Sequence, residues 1–327
     1  METKNSLKKI ASILNEGDNI FIFPHIMMDG DALGSSAALC RVLRSFGKRA
    51  WILIEDSVPD YLKFLDEDFC TYDDTLIRDP EICIAIDCSD LERLGKRGGI
   101  FANGRTSISI DHHATFEAFA HVNCNDSSFA SSAEMVYELI LEMNGPATAE
   151  VAEGLYTGII TDTGNFQYSN TTAMTLRRAS ALLDWGLDHQ RLIVEIYQSM
   201  RPERVKLNGR ALWEMELFSE GKGAIVSVTR SMLAETGAVM EETEGISEAL
   251  RNIKGVEISV LLKEWEPKLT RVSLRAKTVG NVAHIARAFG GGGHVKAAGC
   301  TLEKSIEESK ELLKAAIEEH IKGLTFQ

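Results

Sequence analysis

The chain has 327 residues, 44% hydrophobic and 25% charged, with a formal net charge of −13, the profile of a globular protein with enough apolar material for two cores. The acidic excess argues against tight, sequence-independent binding of long nucleic acid, which rests on many Lys and Arg contacts with phosphate. No stretch approaches the ~18 apolar residues of a membrane span, and the N-terminal METKNSLKKIASILNEGDNI lacks the apolar core of a leader, so a cytoplasmic protein without a membrane partner is expected.

Residues 19–24 read as a strand and 31–47 as the helix after it, with Gly47 as its stop. Further strands are predicted at 50–54, 81–87 and 106–111, an alternation that indicates a parallel sheet. From 131 onward the pattern turns helical. Ser131 and Glu134 stand at capping-box spacing before MVYELILEM, and helices follow over 148–161 and 171–186. An Arg-bearing helical connector is expected near 188–215. Beyond it come strands at 223–230, 256–264 and 269–277, helices at 247–255 and 281–289, and a charged helix from about 304. The expected fold is therefore α/β: an N-terminal parallel-sheet domain over 1–190 with helices on both faces, a helical linker over 191–215, and a smaller C-terminal α/β domain over 216–327. Residues 1–215 carry 20 basic and 32 acidic side chains, against 15 and 16 in 216–327, so the acidity belongs to the first domain. Six cysteines without a Cys-x-x-Cys pair suit free buried thiols better than a disulfide or zinc framework.

Four segments end an apolar run with acidic or imidazole side chains: PHIMMDGDA (24–32), IAIDCSD (84–90), ISIDHH (108–113) and GIITDTG (158–164). In open α/β sheets, ligands collect beyond the carboxyl ends of the strands, so one site can gather all four. An unpaired carboxylate at the end of an apolar strand is costly, and metal binding removes that cost. His25, Asp29, Asp31, Asp87, His112, His113 and Asp162 together offer enough carboxylate oxygen and imidazole nitrogen for two divalent ions. This donor set suits Mn²⁺, Mg²⁺ or Fe²⁺ better than a thiolate-bound structural zinc. Gly30 is expected to permit a sharp backbone change between Asp29 and Asp31. Asp87, alone at its strand end, is the candidate bridge and a catalytic residue. On an extended backbone His113 diverges from His112, which assigns it to the substrate, as donor to phosphate or to the leaving oxygen. In the second domain, FGGGGHVKAAG (289–299) offers backbone N–H groups and His294 to an anion, and Arg275 and Lys277 on the preceding strand add cations. His121, His189, His284 and His320 lack partners at ligand spacing and read as ordinary structural histidines.

Over roughly 19–300 these motifs resemble the DHH phosphoesterase superfamily with its DHHA1 domain, most closely the NrnA-like group of oligoribonucleases and pAp (3′-phosphoadenosine 5′-phosphate) phosphatases. The resemblance implies that His25, Asp29, Asp31, Asp87, His112 and Asp162 bind two Mn²⁺-type ions, with His113 beside the scissile phosphate. It implies too that Arg275 and the loop of Gly291, Gly292, Gly293 and His294 grip substrate. Met27 and Met28 depart from it, standing where such proteins often carry Asn or Arg and Pro, which bears on a substrate contact and not on the ligands. The implied activity is hydrolysis of short RNA or linear dinucleotides to nucleoside monophosphates, with pAp as a further substrate; a homodimer is compatible with it. Cleavage of a cyclic dinucleotide, hydrolysis of pyrophosphate or polyphosphate, and a non-catalytic nucleotide-binding regulator are the competing functions.

Overall fold

The computed structural model describes residues 2–293 and 295–324, so His294 lies outside the described residues. They form two compact units that divide between Ser199 and Met200.

The first unit is built on six parallel strands, β1 (Ile20–Pro24), β2 (Ala50–Leu53), β3 (Cys70–Thr71), β4 (Ile82–Ile86), β5 (Thr106–Asp111) and β6 (Val122–Asn125), in the order β3-β2-β1-β4-β5-β6. β1 and β4 are buried along their whole length, as expected of central parallel strands. The chain leaves β1 toward β2 and returns on the other side as β4, so the strand order reverses between β1 and β4. That switch point opens a crevice at the strand ends, where an α/β sheet collects its ligands.

One face of the sheet is covered by α1 (Glu2–Glu16), α2 (Gly30–Ser45), α4 (Ser132–Glu142) and α5 (Ala149–Asp162) around a large aliphatic core. The other is covered by a smaller cluster that includes Phe21, Phe23, Leu94 and Phe101, with α3 (Gly98–Ala102) contributing. Two more helices, α6 (Ala173–Asp184) and α7 (His189–Tyr197), complete the unit. Helices α2 and α5 meet backbone to backbone: a Cβ on Gly34 would lie 2.3 Å from the Gly154 carbonyl oxygen. A Cβ on Gly158 would lie 2.6 Å from Asp31 Oδ1. This close packing brings the last residue of α5, Asp162, against the first turn of α2.

The second unit contains α8 (Pro202–Trp213), α9 (Arg230–Thr236), α10 (Ile246–Arg251), α11 (Val282–Ala288) and α12 (Ile306–Lys322). Its strands are β7 (Glu216–Phe218), β8 (Gly223–Val228), β9 (Ile258–Glu266), β10 (Leu269–Ala276), β11 (Gly292–Gly293) and β12 (Ala297–Leu302). They form one sheet in the order β11-β12-β10-β9-β8-β7, antiparallel except for β8 beside β9. The connector expected over 191–215 is divided: α7 packs within the first unit, and α8 begins the second with Pro202 at its first position.

Candidate metal centre

His25 follows β1 and is buried. Its Nδ1 donates to the Ile26 carbonyl at 2.8 Å, which leaves Nε2 as the free-electron-pair nitrogen, 3.7 Å from Asp29 Oδ2 and 3.7 Å from Asp87 Oδ2. Asp29 caps α2, with Oδ1 accepting the N–H groups of Asp31 and Ala32 at 3.0 and 3.1 Å. Asp31, in the first turn, is 1% exposed and accepts from the N–H groups of Ser132 and Ala133 at 2.6 and 2.8 Å, so its charge is set against the N-terminal end of α4. Gly30 does not have the expected backbone role. Its φ is not positive, and what requires glycine is space, since a Cβ would lie 2.4 Å from Thr161 Oγ1; the left-handed residue in this loop is Met27, at φ 55°.

Asp87 stands one residue beyond β4 in the left-handed region, φ 63°, a strained conformation for a non-glycine residue that turns its carboxylate across the strand ends. Its Oδ1 accepts from Ser132 Oγ at 3.0 Å and lies 3.5 Å from His112 Nε2. His112 Nε2 is also 3.9 Å from Asp31 Oδ2 and 3.6 Å from Asp162 Oδ2, and it is buried without a hydrogen-bond partner. Three groups of potential ligand atoms result: His25, Asp29 and Asp87; Asp31, His112 and Asp162; and Asp87, His112 and His113. Asp87 and His112 each belong to two of them.

The expected divergence of His112 and His113 is not observed. β5 ends at Asp111, and beyond it the two rings lie 4.6 Å apart beside Asp87. Their roles separate by hydrogen bonding. His113 Nδ1 donates to Asp111 Oδ1 at 2.6 Å and its N–H to Asp111 Oδ2 at 3.1 Å, so a proton already occupies the nitrogen nearest Asp87. Burial disfavours its imidazolium, but the Asp111 bond and the charges of Asp87, Asp111 and Asp162 outweigh it and raise the pKa to about 9.

Asp31 and Asp162 are shifted upward as well, which for a carboxylate favours the neutral form. Burial first, then Asp87, Asp162 and Asp29, hold Asp31 well above the usual carboxylate range. Burial and the neighbouring aspartates push Asp162 up to about 7 against the pull of His112 and His113. Divalent cations fit this arrangement: a buried imidazole nitrogen without a partner faces three carboxylates that repel one another, and the donors are all oxygen and nitrogen. Cys88, next to Asp87, is not among them; its buried Sγ donates toward the Ile86 and Phe23 carbonyls.

Residues 19–159 match the DHH family, N-terminal domain, and residues 221–323 the DHHA1 domain. Across 96% of its length the chain is 33% identical to 94% of a bifunctional oligoribonuclease and PAP phosphatase NrnA from Thermus thermophilus. It is 30% identical to the protein of the same name from Bacillus subtilis, over 93% of this chain and 96% of that one. This chain belongs to the NrnA-like DHH/DHHA1 family. The structure of an exopolyphosphatase-related protein from Bacteroides fragilis superposes with a TM-score of 0.91 at 28% identity, covering 96% of each chain. Membership makes the chain a metal-dependent phosphoesterase, and no helix among the described residues is long and apolar enough to cross a membrane.

Three residues outside the predicted ligand set support this DHH site, of which only Asp111 stood out in sequence, as a carboxylate directly after an apolar strand. Asp111, 0% exposed, orients His113. Ser132 ties Asp87 and Asp31 to the start of α4. Asn170 donates from Nδ2 to the Asp162 carbonyl at 3.1 Å. The strand-end signal that singled out Asp87 was equally present for Asp111; the other two carry none in sequence.

In the DHHA1 part, Arg275 lies on β10, where its Nε donates to Glu248 at 2.7 Å and its Nη1 to the Leu274 carbonyl at 3.1 Å. Lys277 Nζ donates to the Ile253 carbonyl at 2.7 Å. Gly291 packs tightly, since a Cβ there would lie 2.1 Å from the Gly299 oxygen, whereas Gly292 and Gly293 form the exposed strand β11. Of the two methionines that depart from the family pattern, Met28 is buried and Met27 is 67% exposed.

Proposed function

We propose that this enzyme hydrolyses short oligoribonucleotides and linear dinucleotides to nucleoside monophosphates, and pAp to AMP, using two divalent ions of the Mn²⁺ type. The observation that carries the reading is the double membership of Asp87: it faces His25 and Asp29 with one oxygen and His112 with the other. One ion is assigned to His25, Asp29 and Asp87, and the second to Asp31, Asp87, His112 and Asp162. When bound, such ions supply Lewis-acid stabilisation of charge on the phosphoryl oxygens and activate water as nucleophile.

The chain's own residues do the rest. The hydrogen bond of His25 Nδ1 to the Ile26 carbonyl presents Nε2 as a ligand. Ser132 and the start of α4 hold Asp87 and Asp31 in place. His113, its Nδ1 proton committed to Asp111, has Nε2 as the nitrogen for a substrate oxygen; as an imidazolium it stabilises the phosphoryl group and can protonate the leaving oxygen. Arg275 and the Gly291–Gly293 segment with His294 are assigned to the non-reacting end of the substrate. The domain roles follow, catalysis in 1–190 and substrate binding in 216–327. The relatives from Thermus thermophilus and Bacillus subtilis carry both activities in their names, which supports the substrate class.

The test is a product time course with purified protein, Mn²⁺, labelled RNAs of two to five nucleotides, pAp and cyclic dinucleotides. Mononucleotides from RNA and AMP from pAp are expected, both abolished by chelation. Turnover confined to cyclic dinucleotides, or none with any substrate, rejects the proposal.

A further inference from the structure

On β9 and β10, Lys263 and Arg271 stand directly opposite each other in an antiparallel pair, on the sheet face that also carries Arg275. Like charges facing across a ladder destabilise a sheet. Here both side chains are half-buried, and among the described residues neither has a carboxylate within ion-pair distance. Burial, followed at a distance by Arg271 and Arg275, lowers the Lys263 pKa, although Glu244 and Glu248 act against it. Glu248 itself is committed to Arg275.

The local structure maintains this arrangement. β9 bulges at Trp265, which falls between the pairs Leu269 with Glu266 and Thr270 with Glu264. Bulges re-aim side chains, and the Trp265 ring holds the Arg271 guanidinium 3.5 Å from its centroid. A stacked guanidinium loses little further freedom on capturing an anion. Along β10 and β12 the neighbouring positions on this face are small or polar, Ser273 with Thr301 and Gly299 across on β12, while on β9 the face continues into the buried core residue Leu261 opposite Ser273.

Resting on the oligoribonuclease reading, we propose that Lys263 and Arg271, oriented by Trp265, form a second anion subsite that takes a phosphodiester of the RNA beyond the one gripped at Arg275. At about 3.3 Å per residue, four residues place Arg271 roughly 13 Å along β10 from Arg275, beyond the reach of a single phosphate. The subsite then contributes to affinity for longer substrates and leaves chemistry to the metal centre.

Lys263→Met, Arg271→Gln and the double variant, assayed on RNAs of two, three and five nucleotides, test this. The double variant is expected to raise KM for the five-nucleotide RNA about tenfold more than for the dinucleotide, with kcat kept, and to flatten the salt dependence of log KM by about 0.7 per contact removed. Its melting temperature should equal or exceed that of the unaltered protein, because a repulsive pair is gone. Arg271→Lys, which keeps the charge but not the planar stack on Trp265, should recover only part of the affinity relative to Arg271→Gln. Equal KM changes at all lengths, or a lower melting temperature with no length effect, overturn the subsite. If the unaltered enzyme cleaves no RNA, the oligoribonuclease reading fails instead. The subsite is then judged by fluorescence anisotropy of labelled five-nucleotide RNA in chelator, where unaltered and double-variant proteins binding alike overturns it.

Discussion

The two units treat charge in opposite ways. Every aspartate in the chain lies at or before position 188, and at the strand ends of the first sheet four of them crowd together with no cation but histidine among them. In the second unit the acids are glutamates, and the prominent ones are satisfied: Glu216 by Lys310 and Lys314, Glu248 by Arg275, Glu257 by the N–H groups of Thr278, Val279 and Gly280. There two half-buried cations, Lys263 and Arg271, face each other with no ion pair among the described residues. Charge left unbalanced inside a folded unit marks a candidate binding site, for cations in the first unit and, on the proposal above, for anions in the second.

That contrast breaks most readily at Asp87. Asp87→Asn is expected to lower turnover by more than about 10³-fold and to deplete both metal positions, read by rate and by elemental analysis. Wild-type metal content and rate in that variant would refute the bridge. His113→Ala should cost about 10²-fold in kcat with metal content retained, separating substrate chemistry from metal holding. In the second unit Arg275→Ala should raise KM about tenfold and leave kcat close to normal; a dominant fall in kcat would erase the division of labour. Ser132→Ala, which removes a hydroxyl from Asp87 Oδ1, should weaken metal binding about tenfold in titration of the metal-free protein.

The smallest effect sharpens the electrostatic half. Asp162 is raised from 3.8 to about 7 in the folded, ion-free protein, so folding binds a proton between those values. Its contribution to stability is complete below pH 3.8 and is lost as pH rises through 7. His113, raised from 6.5 to about 9, acts in the same direction over the higher window. The melting temperature of chelated protein should therefore fall from pH 4 toward 9 and recover on adding Mn²⁺, since a ligand for the native state stabilises it. Asp162→Asn should flatten the lower part of that slope; an unchanged slope would show that the carboxylate cluster is not strained.

Much of this was legible from residue order. The apolar strand followed by Asp or His identifies β1, β4 and β5 and their candidate ligands because burial on both faces demands unbroken hydrophobic runs, so a charge marks the strand end. Two-residue β3 and three-residue β7 were not, being too short for any periodicity to show. The helix stop at Gly47 was readable as a left-handed position, and φ 77° is observed; the glycine at 30 was misread, because its need is for space beside Thr161, a residue 131 positions away.

Sequence by itself therefore determined the α/β class, the family, and which candidate ligands close the apolar runs, since these follow from local residue patterns and motifs. The tertiary structure alone decided how they meet. The strand order reverses between β1 and β4, α2 and α5 touch through glycine, and α4 begins at Ser132, so that Asp31, Asp87, His112 and Asp162 face one another. It also decided that His113 belongs to Asp111, and that Lys263 opposes Arg271. Distances between residues remote in sequence depend on strand register and helix packing, which no local pattern encodes.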